Sequence, residues 1–412
     1  MDTIFRNVRC VTPFAVMESG FVTVRDGRIV SLLPEGPRAG RHADQVVVDG
    51  HDRLLLPGLI DLHNDGIEQE IEPRPRAVFP LSIALRSLES QLVSHGITTI
   101  FHSFSFMDGR EGTLDPQILE PTVRELNRQR RTGIIRHLVH ARYEMAEVHH
   151  VDRFRRLIEG GFVNLASFMD HTPGQGQYRN PEYLVNYYAR KYHAAREDVE
   201  AIMRERLAKA GSPAVDAALS TLSACARAAG IPVASHDDDS PQKVARMHSL
   251  GVTISEFPVE LSAARAALSS GMHVAVGAPN LLRGGSTTNN LSAMEAVRAD
   301  CADILCSDYY SPALLNAVFK LAREGALPLA DAVRMATLNP ARAAGLDGVL
   351  GSLEAGKRAD LILVNDDGEL PSVVEAWVGG RRVYQRHDGE REGTGTQWAA
   401  EVSGPGKETA HA

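Results

Sequence analysis

Short apolar runs broken by turns occupy the first 56 residues and return near the C-terminus. Between them, β-branched segments alternate with helix-like stretches. Segments 3–8, 21–25, 28–33 and 45–49 read as strands, with Asp26-Gly27 as a hairpin turn. Segments 360–364, 373–378 and 381–384 read the same way, with Gly379-Gly380 as the turn. The two chain ends, 1–56 and 347–386, are therefore expected to build one composite β-sandwich domain. The middle carries apolar segments at 55–62, 98–103, 134–142, 163–168, 232–235, 253–255, 273–276 and 304–306. Helical patterns separate them, as at 81–94, 116–130, 215–229 and 241–250. This alternation predicts an α/β fold, a (β/α)8 TIM barrel over 57–346. The stretch near 180–210, rich in Tyr, Arg, Lys and Glu, reads as a helical insertion over the barrel mouth. Residues 387–412 are polar and aperiodic and are expected to form a disordered tail.

The 412 residues suffice for a barrel plus a smaller unit, and 43% are hydrophobic. A net charge of −8 argues against non-specific binding to nucleic acid or an anionic membrane, though not against an anionic small molecule. Four cysteines without framework spacing fit a reducing compartment. No run approaches the ~20 apolar residues of a membrane span, and the N-terminus lacks a signal-peptide pattern. A cytoplasmic location is expected, and a homo-oligomer is left open.

Barrel enzymes keep their chemistry at the C-terminal ends of the strands. The first predicted strand is followed by His63-Asn64-Asp65, the second ends at His102 and Ser103, and the third ends at Glu144. The fourth ends at Asp170-His171, the fifth at His236 with Asp237, Asp238 and Asp239, the sixth at Glu256 and the eighth at Asp308. Imidazoles and carboxylates suit a divalent ion such as zinc, with manganese or iron as alternatives, as one ion or two. Residues i and i+2 of an extended chain share a face, so His63 and Asp65 can point together. The expected metal residues are His63, Asp65, Glu144, His171, His236 and Asp308. Asp308 is also the expected catalytic group, as ligand or as the base that takes a proton from the attacking water. Glu144 could instead pair with Arg142 or His140 at the surface. Asp239 or Ser240 before Pro241 also fits a helix N-cap.

Basic and glycine-rich segments bear on the substrate. Arg74 and Arg76 follow the metal motif within about ten residues, and Arg283-Gly284-Gly285-Ser286-Thr287 follows the seventh strand. Glycine lets backbone N–H groups approach a ligand, and arginine holds phosphate through two nitrogens. The insertion adds Tyr178, Arg179, Arg190 and Lys191. The expected substrate contacts are Arg74, Arg76, His102, Lys191, Arg283, Gly284 and Gly285. The basic residues could equally pair with nearby acids such as Glu68, Glu70 and Glu72.

The strings PGLIDLH (57–63), NPAR (339–342) and GSLEAGKRADLIL (351–363) resemble the amidohydrolase superfamily. Within it, IEPRP (71–75), HGITT (95–99), MDHTPGQ (169–175), ASHDD (234–238), EFP (256–258), GAPNLLRGGS (277–286) and SDYY (307–310) are similar to the PhnM family of phosphonate metabolism. That resemblance implies hydrolysis of alpha-D-ribose 1-methylphosphonate 5-triphosphate, or a related ribose or nucleoside triphosphate, to the 5-phosphate plus diphosphate. It also gives the arginines a phosphate chain to bind. The chain departs from the family's His-Thr-Asp at Asn64, and from its usual glycine loop at Thr287 and Asn289. The superfamily usually sets two metal histidines on strands five and six, whereas His171 and His236 count onto four and five here. Either a strand lies unseen in the insertion or the ligands sit differently. The competing activity is deamination or cyclic-amide hydrolysis on a phosphorylated substrate. A scaffold without catalysis is disfavoured by metal-type residues at five strand ends.

Overall fold

The computed structural model describes residues 2–34, 45–74, 77–106, 116–176, 181–191, 195–286 and 290–386. The segment expected to be a tail, 387–412, lies outside them. Two sheets organise the chain. The first joins both chain ends: β1 (Asp2–Val11), β2 (Val16–Arg25), β3 (Arg28–Leu33), β4 (Gln45–Pro57), and, 300 residues on, β13 (Leu361–Asp366), β14 (Pro371–Val378) and β15 (Arg381–Gln385). Their spatial order is β15-β14-β13-β4-β1-β2-β3. This is one sheet bent over its own core. Phe5 on β1 and Trp377 on β14 stand three strands apart, about 14 Å if the sheet were flat, yet their ring centroids are 5.2 Å apart. The two outermost hairpins also meet, because a Cβ on Gly27 would lie 2.6 Å from the Gly379 carbonyl oxygen. Both glycines have positive φ, so the turns and the contact alike need a residue without Cβ.

The second sheet is the expected barrel. It holds eight parallel strands in sequence order, β5 (Leu59–Asn64), β6 (Ile97–Phe106), β7 (Arg136–Glu144), β8 (Leu165–Met169), β9 (Val233–His236), β10 (Ile254–Glu256), β11 (His273–Gly277) and β12 (Ile304–Cys306). It closes past the last strand, where the Asp65 N–H donates to the Asp308 carbonyl and the Asp308 N–H to the His63 carbonyl, each at 2.9 Å. No extra strand lies in the insertion among its described residues, which form helices Pro181–Lys191 and Arg196–Lys209. These pack on each other through Leu184, Val185, Val199 and Met203.

One boundary differs from expectation. The apolar run 55–62 is two strands in different sheets, since β4 ends at Pro57 and β5 starts at Leu59. Pro57 has no N–H to continue the ladder, and Gly58 passes so close to Thr98 that a Cβ would sit 2.2 Å from its hydroxyl oxygen.

Inside the barrel an apolar layer is contributed by Ile60, Phe101, Leu165, Ala234, Ile254, Ala275 and Ile304, with Leu138 against it. Side chains alternate along a strand, so the residue two further on faces the same interior. That step reaches Ser103, His140, Ser167, His236 and Glu256, all buried. The polar site rests on this apolar floor.

Candidate metal centre

His63, 1% exposed, lies at the centre of the mouth. Two sets of donor atoms converge on it, His63 with His140 and Glu256, and His63 with Asp65 and Asp308, each set lying within 4.8 Å of one another. In the deeper set His63 Nδ1 is 3.5 Å from Glu256 Oε1, and His140 Nε2 is 3.6 Å from Glu256 Oε2. In the outer set His63 Nε2 is 3.5 Å from Asp65 Oδ1. Two donors at about 2.1 Å from a tetrahedral ion stand about 3.4 Å apart, so these spacings suit a shared cation. His236 Nε2 approaches Glu256 Oε2 to 2.5 Å. Beyond these approaches to one another, His63 Nδ1, His236 Nε2 and both Glu256 oxygens are buried without a hydrogen-bond partner. Buried polar atoms are normally satisfied, so four converging orphans fit a cation and leave the site unexplained without one.

The electrostatics agree. Burial and the nearby Arg142 charge push the His63 imidazole down, but the Asp65 and Glu256 carboxylates outweigh them and raise it to about 10. Burial opposes ionisation of Glu256, yet His140 and His236 hold it well below the usual carboxylate range. Burial, and then the Asp65 charge, raise Asp308 to about 6. Residues one or two past the ends of three of these strands take left-handed backbone, Asp237 at φ 52°, Phe257 at 54° and Asp308 at 57°. Such conformations cost about 1–3 kcal/mol each in non-glycine residues and gather at functional sites.

The structure places several of the expected site residues outside the two donor sets. Glu144 and His171 come together, but with each other. The His171 backbone N–H donates to Glu144 Oε1 at 3.2 Å, and His171 Nδ1 lies 2.6 Å from Oε2. Neither belongs to the two donor sets. His102 does not face the mouth. It points to the helix layer, where its Nε2 is 2.8 Å from His137 Nδ1, and His137 Nε2 is 2.7 Å from Glu89 on helix Leu81–Ser94. Conversely, His140 is fully buried in the interior and is no surface partner for Glu144. Glu256 stands at the sixth strand end, as expected.

The glycine loop also differs. Gly284 at φ 81° ends helix Ala278–Arg283, its N–H donating to Leu281 and that of Gly285 to Asn280. Both amides serve the helix cap, not a phosphate cradle. Arg283 bonds the Tyr309 hydroxyl at 2.9 Å, beside Asp308. Arg74 is exposed, as is Arg190. Arg76, Tyr178, Arg179, Thr287 and Asn289 lie outside the described residues, as does the Lys191 side chain.

Asn64, the one departure among the described residues, is held in a hydrogen-bond network with its neighbours. Asn64 Nδ2 donates to Ser307 Oγ at 2.6 Å and Ser311 Oγ at 3.2 Å, and its Oδ1 accepts from the Gly66 N–H at 2.9 Å. Buried Asp61 accepts from the Ser307 N–H at 3.0 Å and from its hydroxyl. Together they tie the first strand to the eighth. Asp238 accepts from Ser235 at 2.6 Å and Ser255 at 2.5 Å, tying strands five and six. Ser240 caps the next helix through the Lys243 N–H. Sequence reasoning missed His140 and Arg142 as mouth residues. The i, i+2 series Leu138, His140, Arg142, Glu144 was the available signal.

Over 387 residues the chain is 35% identical to the alpha-D-ribose 1-methylphosphonate 5-triphosphate diphosphatase of Escherichia coli (strain K12), covering 92% of this chain and 100% of that protein. The chain belongs to that family. This diphosphatase family sits in the amidohydrolase superfamily, and a profile of the Amidohydrolase family matches residues 188–384. Among solved structures, 5-methylcytosine deaminase from Klebsiella pneumoniae superposes with a TM-score of 0.63 at 16% identity, covering 95% of this chain and 100% of that one. N-acetylglucosamine-6-phosphate deacetylase from Pasteurella multocida gives 0.62 at 15%, covering 93% and 99%. These two share the diphosphatase family's fold; at such identity they say nothing of its reaction. Among the described residues, no helix is long and apolar enough to cross a membrane.

Proposed function

We propose that this protein is a metal-dependent diphosphatase that hydrolyses alpha-D-ribose 1-methylphosphonate 5-triphosphate, or a closely related ribose 5-triphosphate, in phosphonate metabolism. The observation that carries the reading is the end-to-end match to the Escherichia coli diphosphatase. The donor cluster around His63 supports it. Water forms a bond to the phosphorus on the 5-oxygen. The bond from that phosphorus to the diphosphate oxygen breaks, leaving the 5-phosphate and free diphosphate.

His63, His140, Glu256, Asp65 and Asp308 would hold the ion, with His236 beside Glu256. A divalent ion, zinc by donor type, would supply Lewis acidity and an activated water. Asp308, poised near pH 6, would take the proton from the attacking water. Glu256 would fix the orientation of His63 and His236 through its two oxygens. Asp61 and Asn64 would keep strands one and eight in register beneath the reacting atoms. Arg283, held by Tyr309, would meet the outer phosphates. Purified protein incubated with alpha-D-ribose 1-methylphosphonate 5-triphosphate should release diphosphate; release of monophosphate alone, or no reaction with metal supplied, would refute the proposal.

A further inference from the structure

Arg142 is a guanidinium built into the ligand cluster itself. It lies on β7, one inward step beyond His140, with its side chain 13% exposed. Its Nη1 donates to Asp65 Oδ1 at 3.2 Å. Among the described residues Asp65 is its one hydrogen-bond partner, and its Nε is buried without any. A guanidinium carries five N–H donors in a fixed fork, so four are uncommitted. Its charge bears on His63, His140, His236, Asp237 and Asp308, which surround it.

That placement is costly in a site for a neutral substrate. A permanent positive charge beside an ion site repels the ion and depresses the imidazoles' own positive charge. Asp65 offsets part of this, but Asp65 also belongs to the outer donor set. The arrangement becomes favourable when a multiply charged anion bridges ion and guanidinium, as a phosphate chain does. Of the substrate-contacting arginines expected from sequence, the two among the described residues, Arg74 and Arg283, are exposed.

We infer that Arg142 is a substrate-contacting, specificity-determining residue, whose free N–H groups bind the phosphoryl oxygens beside the ion and select a phosphoanhydride over a neutral amide. The inference rests on the reaction proposed above.

The test uses the metal-loaded full chain, with inorganic pyrophosphate as probe in calorimetric titration. Metal stoichiometry is measured on the same samples. Arg142→Gln should weaken pyrophosphate binding about 100-fold with metal content unchanged. Arg142→Lys, which keeps the charge and loses the fork, should weaken it less. Unchanged pyrophosphate affinity in both variants overturns the inference, as does no binding by the wild-type protein. Loss of metal in both variants would reduce Arg142 to a support for Asp65 and also overturn it. Should Arg142→Gln not fold, Arg142→Lys decides on the same two readouts. If the wild-type protein binds pyrophosphate through Arg142 yet does not cleave the triphosphate, the reaction assignment fails and the Arg142 contact stands.

Discussion

Glu144 and His171 face each other across the ends of the third and fourth barrel strands, with Oε2 2.6 Å from Nδ1. Both are metal-type residues, and both lie outside the donor sets that share His63. Glu256, in contrast, reaches His63, His140 and His236.

The two carboxylates therefore predict different losses. Glu256→Gln removes a donor charge that three imidazoles surround. It should lower metal affinity roughly 100-fold or more and abolish turnover. Glu144→Gln should lower turnover by loosening His171 while at least one equivalent of metal stays bound. Elemental analysis of both variants after gel filtration checks this. Equal metal loss would place the Glu144–His171 pair among the ligands.

A second prediction concerns pH. Asp61 and Asp308 are both raised to about 6 from 3.8, chiefly by burial. A carboxyl raised on folding binds its proton more tightly in the folded chain. These groups therefore cost stability as pH rises from 3.8 to about 6, and the cost persists above that. A divalent ion supplies the missing positive charge. The gain in Tm on adding zinc should thus increase between pH 5 and pH 7, and Asp308→Asn should flatten that increase. A gain independent of pH would remove Asp308 from the ion's surroundings. Turnover should fall on the acid side as Asp308 takes up its proton, at or below its metal-free value of about 6.

The barrel and the chain-end sheet were legible because strand-forming segments are punctuated by Gly, Pro and Asp turns at regular spacing. The break at Pro57-Gly58 was not, since 54–62 is one nearly continuous apolar run and nothing local says that two sheets share it. His102 was misassigned for a related reason. β6 is buried at all ten positions, so hydrophobic alternation cannot tell its inner face from its outer one. His140 and Arg142 were overlooked because attention to strand ends passes over residues one and two steps earlier. The role of Asn64, between two ligand types, was not legible either, because only the structure shows its side chain turned toward strand eight.

That orientation yields a third prediction. Asn64→Thr would recreate the His-Thr-Asp string of the resemblance, yet a threonine cannot reach both Ser307 and Ser311 and also accept from Gly66. Stability should fall by roughly 2–3 kcal/mol, seen by chemical denaturation, with substrate preference retained. A change of preference at unchanged stability would reverse the assignment and make Asn64 a specificity residue.

Arg283 and Tyr309 give the last prediction. Arg283 is exposed and oriented by a 2.9 Å hydrogen bond from its Nη1 to the Tyr309 hydroxyl, with a longer one of 3.4 Å from Nη2 to the Gly285 carbonyl. An exposed arginine meeting the outer phosphates contributes to binding in both ground and transition states. Its removal should raise KM with little change in kcat. Arg283→Ala should therefore raise KM for the triphosphate roughly tenfold, the scale of one charge-assisted contact. Tyr309→Phe should raise it by less, because the guanidinium remains but is no longer oriented. The double variant should do no more than Arg283→Ala alone, since the tyrosine acts through the arginine. Additive effects in that cycle would mean that Tyr309 touches the substrate itself.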